Sequence, residues 1–106
     1  MGKDNRKEER KYKRLQVRFG ARKPTHRAIA IQLSSNGAFL QASRPVFKPG
    51  SGIVIKFDIP AGTFTVNAIV HHAKSVPPEF IRFSRPGMGV EFVSPPPELQ
   101  KYLKSL

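Results

Sequence analysis

Arg10 and Arg14 stand four residues apart in the cluster Arg10-Lys11-Tyr12-Lys13-Arg14, with one aromatic ring between them. Guanidinium groups fork onto phosphate oxygens and stack flat on bases, so the cluster is equipped to hold a phosphorylated planar ligand. Twenty residues after Arg14 comes Ser34-Ser35-Asn36-Gly37. Asn-Gly tolerates positive φ in a tight hairpin turn. A Ser hydroxyl there can bond its own turn backbone or reach a ligand phosphate or base, and Gly37, with no side chain, lets the chain's backbone approach a ligand closely. The bland readings are a solvated basic tail and an ordinary hairpin. Tyr12 serves either as a stacking surface or as an anchor for the entry segment. The partners these residues allow are a phosphorylated ligand, a nucleic acid or another protein.

No catalytic signature of comparable specificity is present. His71 and His72 are adjacent, and regular strand geometry points them to opposite faces, away from a common metal. His26 reads as a loop residue, and no Asp or Glu lies at a ligand spacing from any histidine. Cys is absent, which removes disulfides, thiolate metal sites and cysteine nucleophiles. Nucleophile elbows, phosphate-binding glycine loops and paired-carboxylate motifs are also missing. The expectation is a binding protein and not an enzyme, with no metal and no cofactor.

The 106 residues allow one domain with a modest core. The formal charge is +12, and residues 1–23 carry ten bases and three acids, hence +7 of it. An electropositive head attracts phosphates, nucleic acid, anionic lipid or acidic protein. No apolar run reaches membrane-spanning length and no signal peptide is visible. A cytoplasmic location is expected.

Residues 1–9 read as a flexible basic tail, and a single domain is expected over 10–106. Leu15, Val17 and Phe19 alternate with polar residues, and Ile29, Ile31 and Leu33 repeat the pattern ahead of Asn36-Gly37, with Ala38-Phe39-Leu40 as the return strand. Pro45, Pro49, Gly50 and Gly52 precede the apolar run Ile53–Phe57. Pro60-Ala61-Gly62 separates that run from Phe64, Val66, Ala68 and Val70. Phe80–Phe83 and Met88, Val90 and Phe92 complete about six to seven short strands, the pattern of a small antiparallel β-barrel in an all-β fold. Leu99, Tyr102, Leu103 and Leu106 recur with helical spacing. They predict a C-terminal amphipathic helix packed on the barrel, entered through Pro95-Pro96-Pro97, with Ser94 placed to cap it and Glu98 near the positive end of its dipole.

In this order the elements resemble a PilZ domain, from about Arg10 to Leu106. The family pattern is Arg-x-x-x-Arg, matched by Arg10 and Arg14, followed by Asp or Asn-x-Ser-x-x-Gly, matched by Ser34 and Gly37. The late strand Gly87-Met88-Gly89-Val90-Glu91-Phe92 looks like the family's own. The departure is Gln32, where the family has Asp or Asn. There the family residue helps hold a guanine edge, and Gln offers a neutral acceptor on a longer stem.

The resemblance implies a stand-alone receptor for the bacterial second messenger cyclic di-GMP, with Arg10, Arg14, Gln32, Ser34 and Gly37 as ligand-binding residues. It further implies a downstream protein partner, and an output in motility, attachment or exopolysaccharide control. Two alternatives stay open. One is a ligand-free PilZ-fold interaction module, which Gln32 favours. The other is a small-barrel nucleic-acid binder with Phe39, Phe47, Phe64 and Phe83 as stacking surfaces. The need for apolar residues in the core argues against the latter.

Overall fold

The computed structural model describes residues 13–42, 45–80 and 84–106. Its strands are β1 (Leu15–Gly20), β2 (His26–Ile31), β3 (Gly37–Gln41), β4 (Gly52–Ile59), β5 (Gly62–Lys74) and β6 (Gly87–Val93), followed by helix α1 (Pro97–Ser105). All pairings are antiparallel, and the order β1-β2-β3-β6-β5-β4 closes on itself as a barrel. The expected all-β barrel with a closing helix is therefore present, with six strands among the described residues. Pro78–Phe80, the approach to the expected seventh strand, is a single 3-10 turn, and residues 81–83 lie outside the described residues.

A barrel this narrow is filled by its own side chains. Phe19, Phe57, Leu40, Ile55, Val70 and Met88 take most of the interior, and Phe57 meets Phe92 edge to face at 5.7 Å. Space beside them on β2 suits only small residues. Ala28 and Ala30 point inward, while Ile29 and Ile31 are left half-buried on the outside, the reverse of the reading from alternation alone. Leu33 is nonetheless fully buried, because Gln32 adopts φ +50° and the kink moves the next side chain to the other face. A regular strand would have kept Leu33 on the same side as Ile31.

The two ends of the barrel are closed differently. At the start of β2, Phe47 from the β3–β4 connection packs edge-on against Phe19 at 6.1 Å, and its N–H points to the Met88 sulfur at 3.3 Å. Beyond the other end of β2, α1 contributes Leu99 and Leu103 to the common core, and its Gln100 amide donates to the Ser35 carbonyl. The helix begins at Pro97 with Pro96 as its N-cap and no side-chain cap. Ser94, at φ +48°, is part of the approach and not the cap. Proline in the first turn makes the cap less necessary, since it has no N–H to satisfy.

Two histidine expectations are corrected. His26 opens β2 and stacks obliquely on Phe19. His71 occupies a β-bulge between Val70 and His72, so both neighbouring histidines are exposed and do not alternate across the sheet. Among the described residues no three His, Cys, Asp or Glu side chains gather as a metal site would require.

Candidate functional site: a cationic groove beside a closed turn

The outer faces of β1, β2, β3 and β4 form the floor of a groove of about 800 Å³, completed by Arg14 ahead of β1 and by Arg85 and Pro86 ahead of β6. The register fixes the order of its side chains. Gln16 lies opposite Ile29, which lies opposite Gln41. Two residues further along β1, Arg18 lies opposite both Arg27 and Lys56. Arg14 immediately precedes the first β1–β2 pair, Leu15 with Ala30, and so sits at the end of the sheet where β2 runs out toward Gln32. The hydrogen bond from Ala42 N–H to the Pro86 carbonyl brings Arg85 to the Gln41 side.

Among the described residues five cations therefore line the groove (Arg14, Arg18, Arg27, Lys56 and Arg85) with a single carboxylate, Asp58, whose Oδ1 accepts a 2.6 Å hydrogen bond from the Thr63 hydroxyl. The middle row is different in character. Ile29 presents an apolar surface between two amides, a combination that suits a flat heterocycle with hydrogen-bonding edges.

The β2–β3 turn next to this groove is closed upon itself. Ser34 is only 6% exposed. Its Oγ accepts from the N–H groups of Asn36 and Gly37, both at 3.2 Å, and donates to the Gly37 carbonyl at 3.4 Å. One donor and two acceptors are all that a hydroxyl offers. The Ser34 N–H also bonds the Gly37 carbonyl, at 3.0 Å.

Gly37 is not the positive-φ turn residue that Asn-Gly predicts. Gly37 opens β3, and the left-handed residue in this region is Gln32. Glycine is required here because a Cβ would stand 2.4 Å from the Val90 carbonyl oxygen of β6. The close approach at Gly37 in this structure is that of a neighbouring strand, a packing role separate from the ligand approach expected of it.

Of the five residues expected to bind ligand, Arg14 lines the groove, while Gln32, Ser34 and Gly37 form the turn past the end of β2. Arg10 and Tyr12, together with the tail over residues 1–9, lie outside the described residues. Sequence reasoning missed Arg27, Lys56, Arg85, Gln16, Gln41 and Ile29. Alternation marked outward positions, but only the register of four strands brings these residues together. Of the phenylalanines considered as stacking surfaces, Phe47 and Phe64 pack on the core. Phe39 lies outside the barrel with its ring over Gly87, and Phe83 is outside the described residues.

Among the described residues no helix is long and apolar enough to cross a membrane. No curated protein matches the sequence at a significant level. A solved structure described as Bacillus subtilis inhibitor of motility (MotI/DgrA) superposes with a TM-score of 0.75 at 16% sequence identity, over 96% of this chain and 48% of that one. The chain thus spans about half the length of that neighbour, and at this identity the likeness is one of fold. The PilZ domain family model matches residues 4–106, nearly the whole chain and all six strands and the helix, so the chain belongs to the PilZ domain family.

Proposed function

We propose that this PilZ domain is a receptor for cyclic di-GMP, gripped by Arg10 and Arg14 and bordered by the Gln32 to Gly37 turn. The observation that carries this reading is the position of Arg14 at one end of a groove of about 800 Å³ that holds, among the described residues, five cations and one carboxylate. A cyclic dinucleotide offers two phosphodiesters and two guanines. Guanidinium groups fork onto phosphate oxygens and onto guanine O6 and N7. In this reading Gln32 takes the place of the family's Asp or Asn at a guanine edge. Ser34 and Gly37 act by holding the backbone of the turn in shape.

The receptor is cytoplasmic, where the messenger is found, has no catalytic role, and passes its signal to a protein partner as ligand draws the arginine segment onto the barrel. The fold neighbour's description as an inhibitor of motility supports motility as the first process to examine.

Calorimetric titration with cyclic di-GMP, with GTP as control, tests this. Selective saturable binding is expected, weakened roughly 10- to 100-fold in Arg14→Ala, the range of one or two charge-assisted hydrogen bonds. Arg14 precedes the first strand, so the variant keeps its fold. Absence of heat in the wild type, restored in Gln32→Asp, would instead support a ligand-free interaction module whose guanine contact is lost through Gln32.

A further inference from the structure

We propose that Lys56, Arg18 and Arg27 form a phosphate subsite of their own on the outer face of the barrel, apart from the Arg-x-x-x-Arg and Ser-x-x-Gly residues. The three occupy one row across three adjacent strands, Arg18 directly opposite each of the other two. Directly opposed side chains have Cβ atoms about 4.5–5.5 Å apart, and like charges so placed destabilise a sheet. Among the described residues none of the three is in an ion pair, although the same barrel pairs Glu91 with His71 at 2.6 Å. The carboxylate nearest in the register, Asp58, is engaged by Thr63.

An unneutralised row of this kind is complementary to an anion that bridges it. Phosphate suits it best, since two guanidinium forks and one ammonium line the same groove and can donate to every oxygen of a phosphate group. The row lies four residues along β1 from Arg14, roughly 13 Å at strand rise. The Gln16–Ile29–Gln41 row comes between them. The groove thus reads as arginine end, flat-ring platform and phosphate row, which fits a ligand of nucleotide size with phosphate at its far end. The assignment goes beyond the cyclic di-GMP reading, because it requires phosphate on the ligand and not a particular base.

The test is a backbone amide NMR titration at physiological ionic strength with two probes, inorganic pyrophosphate and cyclic di-GMP. The wild type is compared with Arg18→Gln/Arg27→Gln and, separately, with Lys56→Gln. Pyrophosphate is expected to shift the amides around Arg18, Arg27 and Lys56 saturably and to bind at least tenfold more weakly to the double variant. Lys56→Gln, which leaves both arginines, should show a smaller loss.

Shifts confined to Lys13 and Arg14, or unchanged affinity in both variants, overturn the subsite. Pyrophosphate bound at the row with no response to cyclic di-GMP upholds the subsite and removes the proposed function. Cyclic di-GMP bound without disturbing the row, with no saturable pyrophosphate site, does the reverse. Should the double variant fail to fold, the Lys56→Gln titration and the wild-type shift map decide alone.

Discussion

The groove and the β2–β3 turn are neighbours in one sheet, yet they handle polar groups in opposite ways. In the turn, every hydrogen-bonding position of the Ser34 hydroxyl is used within four residues, and Gly37 is held against the β6 backbone. In the groove, Arg18 faces two other cations and the carboxylate of Asp58 is committed to a threonine. A satisfied polar cluster stabilises the fold. An unneutralised one costs stability until something binds. The difference teaches that polar residues close together on one sheet divide into those already satisfied by the fold and those the fold leaves unneutralised, and it makes the two regions separable by mutation.

The largest expected effect is in the turn. Gly37→Ala drives a Cβ into the Val90 carbonyl and should cost about 2–3 kcal/mol in urea denaturation, as overpacking against backbone does. A loss below half of that would mean that β6 yields easily and that the turn is less rigid than its contacts imply. Ser34→Ala removes the acceptor used by two amides and should cost about 1–2 kcal/mol. If Ser34→Ala left stability intact while abolishing cyclic di-GMP binding, the hydroxyl would be a ligand contact and the contrast between the two regions would collapse.

Smaller effects of the opposite sign sharpen the comparison. Gln32 holds φ +50°, a conformation that Asn adopts more readily, so Gln32→Asn should stabilise the domain by about 0.5–1 kcal/mol. A destabilised variant would show that the longer side chain makes a contact worth more than the backbone relief. Arg18→Gln relieves two like-charge pairs and should raise the midpoint of thermal unfolding slightly, by about 0.5 kcal/mol in stability, with the gain shrinking at high salt. A lower midpoint would mean that the packing of the arginine stem outweighs the repulsion.

The fold was largely readable in the chain. Alternation in Leu15–Phe19 and in Phe64–Val70, the Pro and Gly punctuation, and the helical spacing of Leu99, Tyr102, Leu103 and Leu106 located five of the six strands and the helix with little error. The pattern failed where local periodicity and barrel geometry disagree. The run Ile29, Ile31, Leu33 looks like one apolar face, but the narrow interior takes Ala28 and Ala30 there, and the kink at Gln32 moves Leu33 across. His71 and His72 failed in the same way, because a bulge is an event of pairing and leaves no mark in the alternation.

What the sequence by itself determined is the inventory: an excess of positive charge concentrated at its head, strand-length apolar runs, an arginine pair and a Ser-x-x-Gly turn in the order of a PilZ domain. These follow from residue type and spacing along the chain. Only the tertiary structure decided that Arg18, Arg27 and Lys56 share one row, that Ile29 faces outward between two glutamines, and that Ser34 spends its hydrogen bonds on its own turn. The physical reason is register. A one-residue change in strand pairing, or one left-handed residue, exchanges the two faces of a strand without altering its composition.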